Sequence, residues 1–201
     1  MLGPNTVTGN WMRQFARAGQ LPLTLLLSER EYNNLQPRLT VACQPAMDQT
    51  ITDPTKAELD WVVAQRQAAS RFVASASPND AGQPLTLAAL DRAFNALISA
   101  DPKDVDEING VINAVGVAFG QFLVEGAGLR WVIATDEHGS DLAVFGLPSA
   151  GDVLVYPANF VAKRWERRET DFLVRSYGEI AGAVQSLRAE NRRAPRPWWR
   201  L

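Results

Sequence analysis

The chain has very few of the side chains that most enzymes use for chemistry at neutral pH. Among its 201 residues there is one histidine, His138, and one cysteine, Cys43. A single cysteine excludes an internal disulfide and agrees with a reducing compartment. A histidine- and cysteine-based metal site needs several ligands that converge, and this chain offers only these two, far apart in sequence. We therefore expect no metal site.

The sequence also lacks the loops that bind phosphates and the turn that carries a catalytic serine. It contains no Walker A loop, no G-x-G-x-x-G after a strand and no G-x-S-x-G elbow. The only possible Cys/His catalytic pair is Cys43 with His138. A lone cysteine at the end of a strand, however, usually behaves as a small buried hydrophobe. We expect no cofactor and assign no catalytic residue, so the chain leans away from being an enzyme.

Long apolar runs and a strong charge of one sign are absent as well. The run "LTLLL" at 23–27 is far shorter than the ~20 residues that span a bilayer, and no small-residue cleavage pattern follows it. Net charge is -2, so nothing global indicates nucleic acid or an anionic membrane. We expect a cytoplasmic protein with no membrane span, for which nucleic acid is an unlikely partner.

Helical periodicity dominates the region after residue 50. Asp53 with Pro54 predicts the start of one helix, Thr86 the start of a second, and Asp101 with Pro102 the start of a third over about 102–125. Gly116 and Gly120 lie on one side of the third helix. Each costs ~1 kcal/mol relative to alanine in a helix interior, so we expect another backbone to approach that side closely.

Three strand-like runs then follow with short connections. They are "LRWVIAT", "DLAVFGL" and "DVLVYP", which predict an antiparallel three-stranded meander at about 129–156. The first run is nearly all apolar, so Trp131 and its neighbours should be buried on both faces of the sheet. Pro157 is expected to begin a helix, and a last helix covers about 170–188.

The order of elements predicts an α+β fold, with a small antiparallel sheet packed against several helices. Strand-like runs between 23 and 43 could extend the sheet, although a short helix over 28–35 fits equally well. We divide the chain into an N-terminal extension (1–22), a single α+β domain (23–188) and a basic C-terminal tail (189–201).

The cluster "TDEHGSD" contains the only histidine and three acids. Its polar residues lie between two apolar strands, and Gly139 stands where a turn often needs a positive φ. The segment is typical of a hairpin tip. The alternative is an acid–base or metal site formed by Asp136, His138 and Asp141.

The segment from Ile112 to Tyr177 resembles a bacterial family that is known only as a domain of unknown function. The resemblance rests on Gly116 and Gly120, on Trp131-Val132, Asp136 and Gly139, and on Tyr156-Pro157 followed by Lys163, Arg164, Glu169 and Asp171. It covers about residues 108–185 and leaves the first hundred residues outside. The family implies a small bacterial α+β domain and no assigned activity.

Three hypotheses of function remain. The first is a non-catalytic protein-binding domain, of which an immunity protein that blocks a toxin is one version. The second is a hydrolase-like enzyme with a site near residues 136–141, and a pocket gathering those acids with Lys163 or Arg164 would favour it. The third is contact of the basic C-terminal end with RNA or anionic lipid, since residues 163–201 hold ten Lys/Arg and five acids, net +5. A solvated helix and tail explains that charge more simply.

The candidate residues divide by role. Candidate binding residues are Asp136, His138, Lys163 and Arg164, and the residues expected to have structural roles are Gly116, Gly120, Trp131, Gly139 and Pro157. The protein partner and the oligomeric state are left open.

Overall fold

A computed structural model describes residues 49–136, 139–148 and 151–193. Several predictions therefore lie outside the described residues: the N-terminal extension 1–22, the strands or helix between 23 and 43, Cys43, His138 and the tail from 194 onward.

The described chain alternates between helices and one small sheet, and the predicted α+β class is confirmed. The strands are β1 (Thr50–Thr52), β2 (Arg130–Asp136), β3 (Gly139–Gly146) and β4 (Val153–Val155). The helices are α1 (Lys56–Ala76), α2 (Leu87–Ala100), α3 (Val105–Ala127), α4 (Pro157–Glu166) and α5 (Leu173–Arg193), with a 3-10 turn at Pro78–Asp80.

The sheet is antiparallel with strand order β1-β2-β3-β4. The three strands β2 to β4 form the predicted meander, and β3 pairs with β4 so that Val144 faces Val155 and Gly146 faces Val153. The edge strand β1 was not among the predicted strands. Its three residues, "TIT", are too few for a periodic signal, and the pairing that makes them a strand is long-range.

The chain forms two compact units. Of the described residues, one unit holds 52–133, 142–148 and 151–193, and the other holds 49–51, 134–136 and 139–141. The first unit contains the five described helices, and the second contains the outer part of the β2–β3 hairpin.

Two helices begin later than the sequence indicated, because a better capping residue follows. The N-cap of α1 is Thr55, not Asp53: the Thr55 hydroxyl accepts from the backbone of Glu58, whose carboxylate accepts from the Thr55 backbone at 2.6 Å. This capping box satisfies two N–H groups at once. The N-cap of α3 is Asp104, whereas Asp101 ends α2 with a φ of 48°. The predictions from Thr86 and Pro157 are confirmed.

The long helix α3 is the centre of the helical unit and contacts α1, α4 and α5. Residues Ala114–Gly120 are buried without interruption. A Cβ added at Gly116 would lie 2.6 Å from the Ala158 Cα and 2.9 Å from the Pro157 carbonyl oxygen. The first turn of α4 therefore rests on the backbone of α3, at a distance that only glycine permits.

Gly120 makes the neighbouring contact with the sheet. A Cβ there would meet the indole of Trp131 and the ring of Pro157, which lies 2.8 Å away. Trp131 is 8% exposed, and its indole N–H donates to Gln121 Oε1 at 2.9 Å. Trp131, Val132, Ile133 and Ala134 are all buried, as predicted for a strand that is covered on both faces.

Within the described residues, one helix has the length and composition of a membrane span, whereas the sequence led us to expect no such segment. This helix is α3, with a mean hydropathy of 1.3 over its most apolar window. More than half of that window, 56%, is buried inside the protein. Its apolar character is thus accounted for by contacts with α1, α4 and α5, and α3 is only weak evidence of a membrane protein.

The buried carboxylate of Asp91 joins the middle of the chain to the last helix. Asp91 is 5% exposed and accepts hydrogen bonds from the backbone N–H groups of Leu173 at 2.9 Å and Val174 at 3.0 Å. These are two of the N–H groups that the first turn of a helix leaves without intrahelical acceptors. A side chain of α2 therefore caps α5, and its negative charge also suits the positive end of the helix dipole.

The two glycines Gly116 and Gly110 provide a matched test of the close contact within one helix. A Cβ at Gly110 meets nothing within 4 Å, so Gly110→Ala should raise the free energy of unfolding by about 0.5–1 kcal/mol through helix propensity. Gly116→Ala should lower it by about 1–3 kcal/mol, because α4 must shift. Urea denaturation of both variants measures the two signs, and stabilisation by both would contradict the contact.

Removal of the Asp91 carboxylate should destabilise the protein more than removal of an ordinary cap. Asp91→Ala leaves one buried and one half-buried N–H group without their acceptor, and we expect a loss of about 2–4 kcal/mol. The control is Asp104→Ala, which removes the exposed N-cap of α3 and should cost about 1 kcal/mol. Equal losses in chemical denaturation would show that burial of Asp91 adds nothing to the cap.

Candidate functional site

Lys163 and Arg164 lie on α4, where the two predicted binding residues are adjacent in sequence and half-buried. The guanidinium of Arg164 lies over the ring of Phe160, 3.4 Å from its centroid, and 5.8 Å from the centroid of Phe172. Its Nη1 donates to the Phe160 carbonyl at 3.3 Å. Stacking on the ring thus holds the guanidinium in one place, an arrangement that arginine favours.

The Nε of Arg164 is buried and has no hydrogen-bond acceptor among the described residues. The carboxylate of Glu169 comes nearest, with Oε2 at 3.9 Å from Nε. That distance permits charge attraction but no hydrogen bond. The other carboxylate oxygen of Glu169 accepts from Arg175 Nη2 at 2.6 Å. One acid is therefore shared between two arginines and is drawn towards Arg175.

Positive charge accumulates around Arg164. Burial lowers the pKa of Lys163, and the charges of Arg167 and Arg164 lower it further. Burial also lowers the pKa of Arg164, with Arg167 and Arg175 adding to the effect while Glu169 and Glu179 oppose it. We call these four cations, Lys163, Arg164, Arg167 and Arg175, the basic cluster. A carboxylate added beside them would relieve part of this repulsion.

The loop between α4 and α5 is tied to α2, which holds the basic cluster in position. Asn95 Nδ2 donates to Asp171 Oδ1 at 2.8 Å, and the Asp171 backbone donates to Asn95 Oδ1 at 3.3 Å. Arg168 forms an ion pair with Asp101. Arg168 and Asp171 both have a φ of 54°, in the left-handed region. Glu169 lies between these two anchored positions.

The hairpin unit contains the other predicted acids. Thr135 Oγ1 and Ser140 Oγ are 2.8 Å apart, which places the two residues opposite each other on β2 and β3. Asp136 and Asp141 then lie diagonally across the hairpin on its other face. Burial and the nearby Asp136 charge raise the pKa of Asp141 to about 6. Gly139 has a φ of 136°, which suits glycine at the end of a turn.

The structure thus brings together only part of the predicted set. Lys163 and Arg164 share the basic cluster, whereas Asp136 belongs to the other compact unit. His138 lies outside the described residues, and its assignment to a turn stays a prediction. Within residues 49–136, 139–148 and 151–193, no three His, Cys, Asp or Glu side chains are grouped to hold a metal ion.

Sequence reasoning missed the other members of the cluster. The spacing of four between Phe160 and Arg164 on a predicted helix was a usable signal for the stacked guanidinium. Arg175 and Glu169 gave no such signal, because a turn with two left-handed residues brings them back to α4. Asp91 was missed because one acid beside Leu90 and Phe94 looks like an ordinary edge of an apolar face.

The fold and the cluster together define an α+β protein with a charged, helix-borne surface site. Residues 92–177 match the family model Domain of unknown function (DUF3806), so this part of the chain is similar to that family. The match begins in α2, earlier than the predicted 108, so the first hundred residues are not wholly outside the matched segment. No curated protein and no solved structure matches the chain.

The raised pKa of Asp141 predicts that this residue weakens the fold at neutral pH. The folded protein holds the Asp141 proton up to about pH 6, whereas an unfolded aspartate releases it near 3.8. Stability from this group is therefore full below pH 3.8 and is lost as pH rises towards 6. Asp141→Asn should stabilise the protein at pH 7 by roughly 1–2 kcal/mol, after allowance for partial exposure.

The measurement is urea denaturation of wild type and Asp141→Asn at pH 7 and again near pH 4. The difference in unfolding free energy should shrink at the lower pH, where the native aspartate is already neutral. Asp106→Asn, which changes an exposed aspartate in the first turn of α3, serves as the control and should give no gain in stability at pH 7. An Asp141→Asn variant that is less stable than wild type at pH 7 would contradict the assigned burial.

Proposed function

We propose that this protein is a non-catalytic protein-binding domain of the bacterial cytoplasm, and that its basic cluster receives an acidic segment of the partner. The observation that carries the proposal is the buried Nε of Arg164, which has no acceptor in the described residues. A buried donor without an acceptor costs about 1–3 kcal/mol. A rearrangement around an incoming carboxylate would recover part of that cost.

The cations around Arg164 are incompletely neutralised. In the described part of the chain, neither Lys163 nor Arg167 has a carboxylate within 4 Å, and Glu169 pairs with both Arg164 and Arg175. Acidic side chains of a partner would meet two cations, Lys163 and Arg164, whose pKa values are lowered by burial and further by repulsion from neighbouring cations. Complementary charge of this kind favours fast and selective association.

The cluster is also held in advance of binding. Phe160 supports the guanidinium of Arg164, and Asn95 and Asp101 hold the loop that carries Glu169. A surface that is already ordered loses less conformational entropy when it binds. An immunity protein that blocks a toxin is one protein of this class, and a toxin gene beside this gene would support that version.

Binding of a fluorescently labelled oligoglutamate peptide tests the proposal by fluorescence anisotropy. Wild type should bind it, and the double variant Lys163→Glu/Arg167→Glu should weaken binding at least tenfold, since two attractive contacts become repulsive. Rising salt should weaken the wild-type complex as well, because exposed charges are screened. Arg167 is exposed and Lys163 is half-buried, so the fold should survive both changes, and circular dichroism checks that it does.

Arg193→Glu is the matched control, since it reverses an exposed charge on α5 away from the cluster. It should leave the affinity within about twofold, as expected for a charge that contacts neither the peptide nor the cluster. An oligoglutamine peptide should not bind to wild type. Equal affinity of wild type and Lys163→Glu/Arg167→Glu for oligoglutamate would refute the assigned surface.

A second candidate function is a hydrolase-like activity at the hairpin, and one observation favours it. Asp141 has a pKa of about 6 beside the second carboxylate of Asp136, and acid–base catalysis uses carboxyl groups that are shifted in this way. Turnover of chromogenic ester, phosphate or glycoside substrates that Asp141→Asn abolishes, while peptide binding persists, would place the activity there.

A further inference from the structure

The outer face of α1 carries two large apolar side chains that the fold leaves uncovered. Leu59 is 43% exposed and Val63 is 52% exposed. They lie four residues apart and so share one face of the helix. The sequence periodicity suggests that both face the core, but Val62, Ala69 and Val73 face it instead. Single exposed apolar residues are common, so the surroundings of this pair decide its meaning.

An open groove lies beside Val63. It has a volume of about 360 Å³ and runs between the α1 residues Val63, Gln67 and Ser70 and the segment with Pro84 and Leu85. Its lining is apolar at Val63, Pro84 and Leu85 and polar at Arg66, Ser70 and two glutamines. An aliphatic side chain from another molecule would fit its composition.

Helix α1 carries opposite charges at equal distances on the two sides of Val63. Asp60 precedes Val63 by three residues, and Arg66 follows it by three. Their present pairs are weak: Lys56 with Asp60 is 86% and 64% exposed, and Arg66 lies 3.4 Å from the half-exposed Glu125. Exposed pairs of this kind contribute little and can exchange partners.

We propose that α1 is the interface for a second copy of this chain, packed antiparallel about a two-fold axis at Val63. Such an axis places each residue opposite the one equally far on the other side of Val63. Asp60 of each copy then faces Arg66 of the other, so that two ion pairs form. Leu59 faces Gln67 and enters the groove of the other copy, and the two Val63 side chains meet at the axis.

This self-complementarity is why a second copy fits better than an unrelated protein. When a second α1 packs in the opposite direction, Asp60 lies opposite Arg66, and Leu59 lies opposite the groove. The same surface is therefore complementary to a second copy of itself. Only two large apolar side chains per copy take part, and we therefore expect a dimer that dissociates on dilution. The proposal is independent of the basic cluster, which lies on α4 and α5.

Sedimentation velocity over a concentration series of the full chain tests the proposal. Wild type should move from the 22.1 kDa monomer towards twice that mass as concentration rises. Val63→Glu and Leu59→Glu should each remain monomeric, because a charge then lies at the axis or in the groove. Val105→Glu, which changes a residue that is 65% exposed on α3, should dimerise like wild type.

A charge exchange tests the antiparallel register. Asp60→Arg and Arg66→Asp should each lower the dimer fraction, because like charges then face each other. The double variant Asp60→Arg/Arg66→Asp should restore the dimer, since the ion pairs return with reversed polarity. A wild type that stays monomeric, or a dimer that persists in Val63→Glu, overturns the proposal. Failure of the double variant to recover overturns the two-fold register about Val63.

Discussion

The helical unit is organised around the contact of α4 with the backbone of α3 at Gly116. No side chain separates the two helices there, because any Cβ at Gly116 would collide with the Ala158 backbone. Gly120 extends the contact to Trp131, so that one stripe of small residues holds a helix and a strand together. Close packing of this kind resists any change of volume. Because Gly116 and Gly120 have no side chains, α4 packs directly against α3. This contact sets the position of α4 and therefore of Arg164.

A second set of contacts orients the end of the domain. Asp91 of α2 caps α5, and Asn95, four residues further along α2, binds Asp171 in the loop before α5. The two contacts hold the loop that carries Glu169, and they thereby set its carboxylate between Arg164 and Arg175. The same polar face of one helix thus determines both the start of α5 and the charge balance of the basic cluster.

Local sequence signals were sufficient for most of the elements. Apolar spacing, together with the capping and proline signals, predicted all five described helices with ends within a few residues, and short apolar runs predicted β2, β3 and β4. The ends were less predictable where capping residues competed. Asp53 and Asp101 each precede a proline, yet Thr55 and Asp104 cap the helices because their side chains reach free backbone N–H groups. The short strand β1 carried no signal that distinguishes it from a loop.

Local sequence patterns, which involve residues within one or two helical turns of each other, were enough to predict the α+β class and the order of the helices and strands. They also predicted the close approach at Gly116 and Gly120. The lack of the common catalytic motifs was equally visible in the chain. Three features emerged only when the chain was folded: Asp91 caps a helix more than eighty residues away, Glu169 is shared by two arginines, and α1 turns two apolar side chains outward. These features depend on tertiary contacts, because burial, charge repulsion and capping by a distant side chain each need residues that are remote in sequence. A local sequence pattern does not specify which remote residues come into contact.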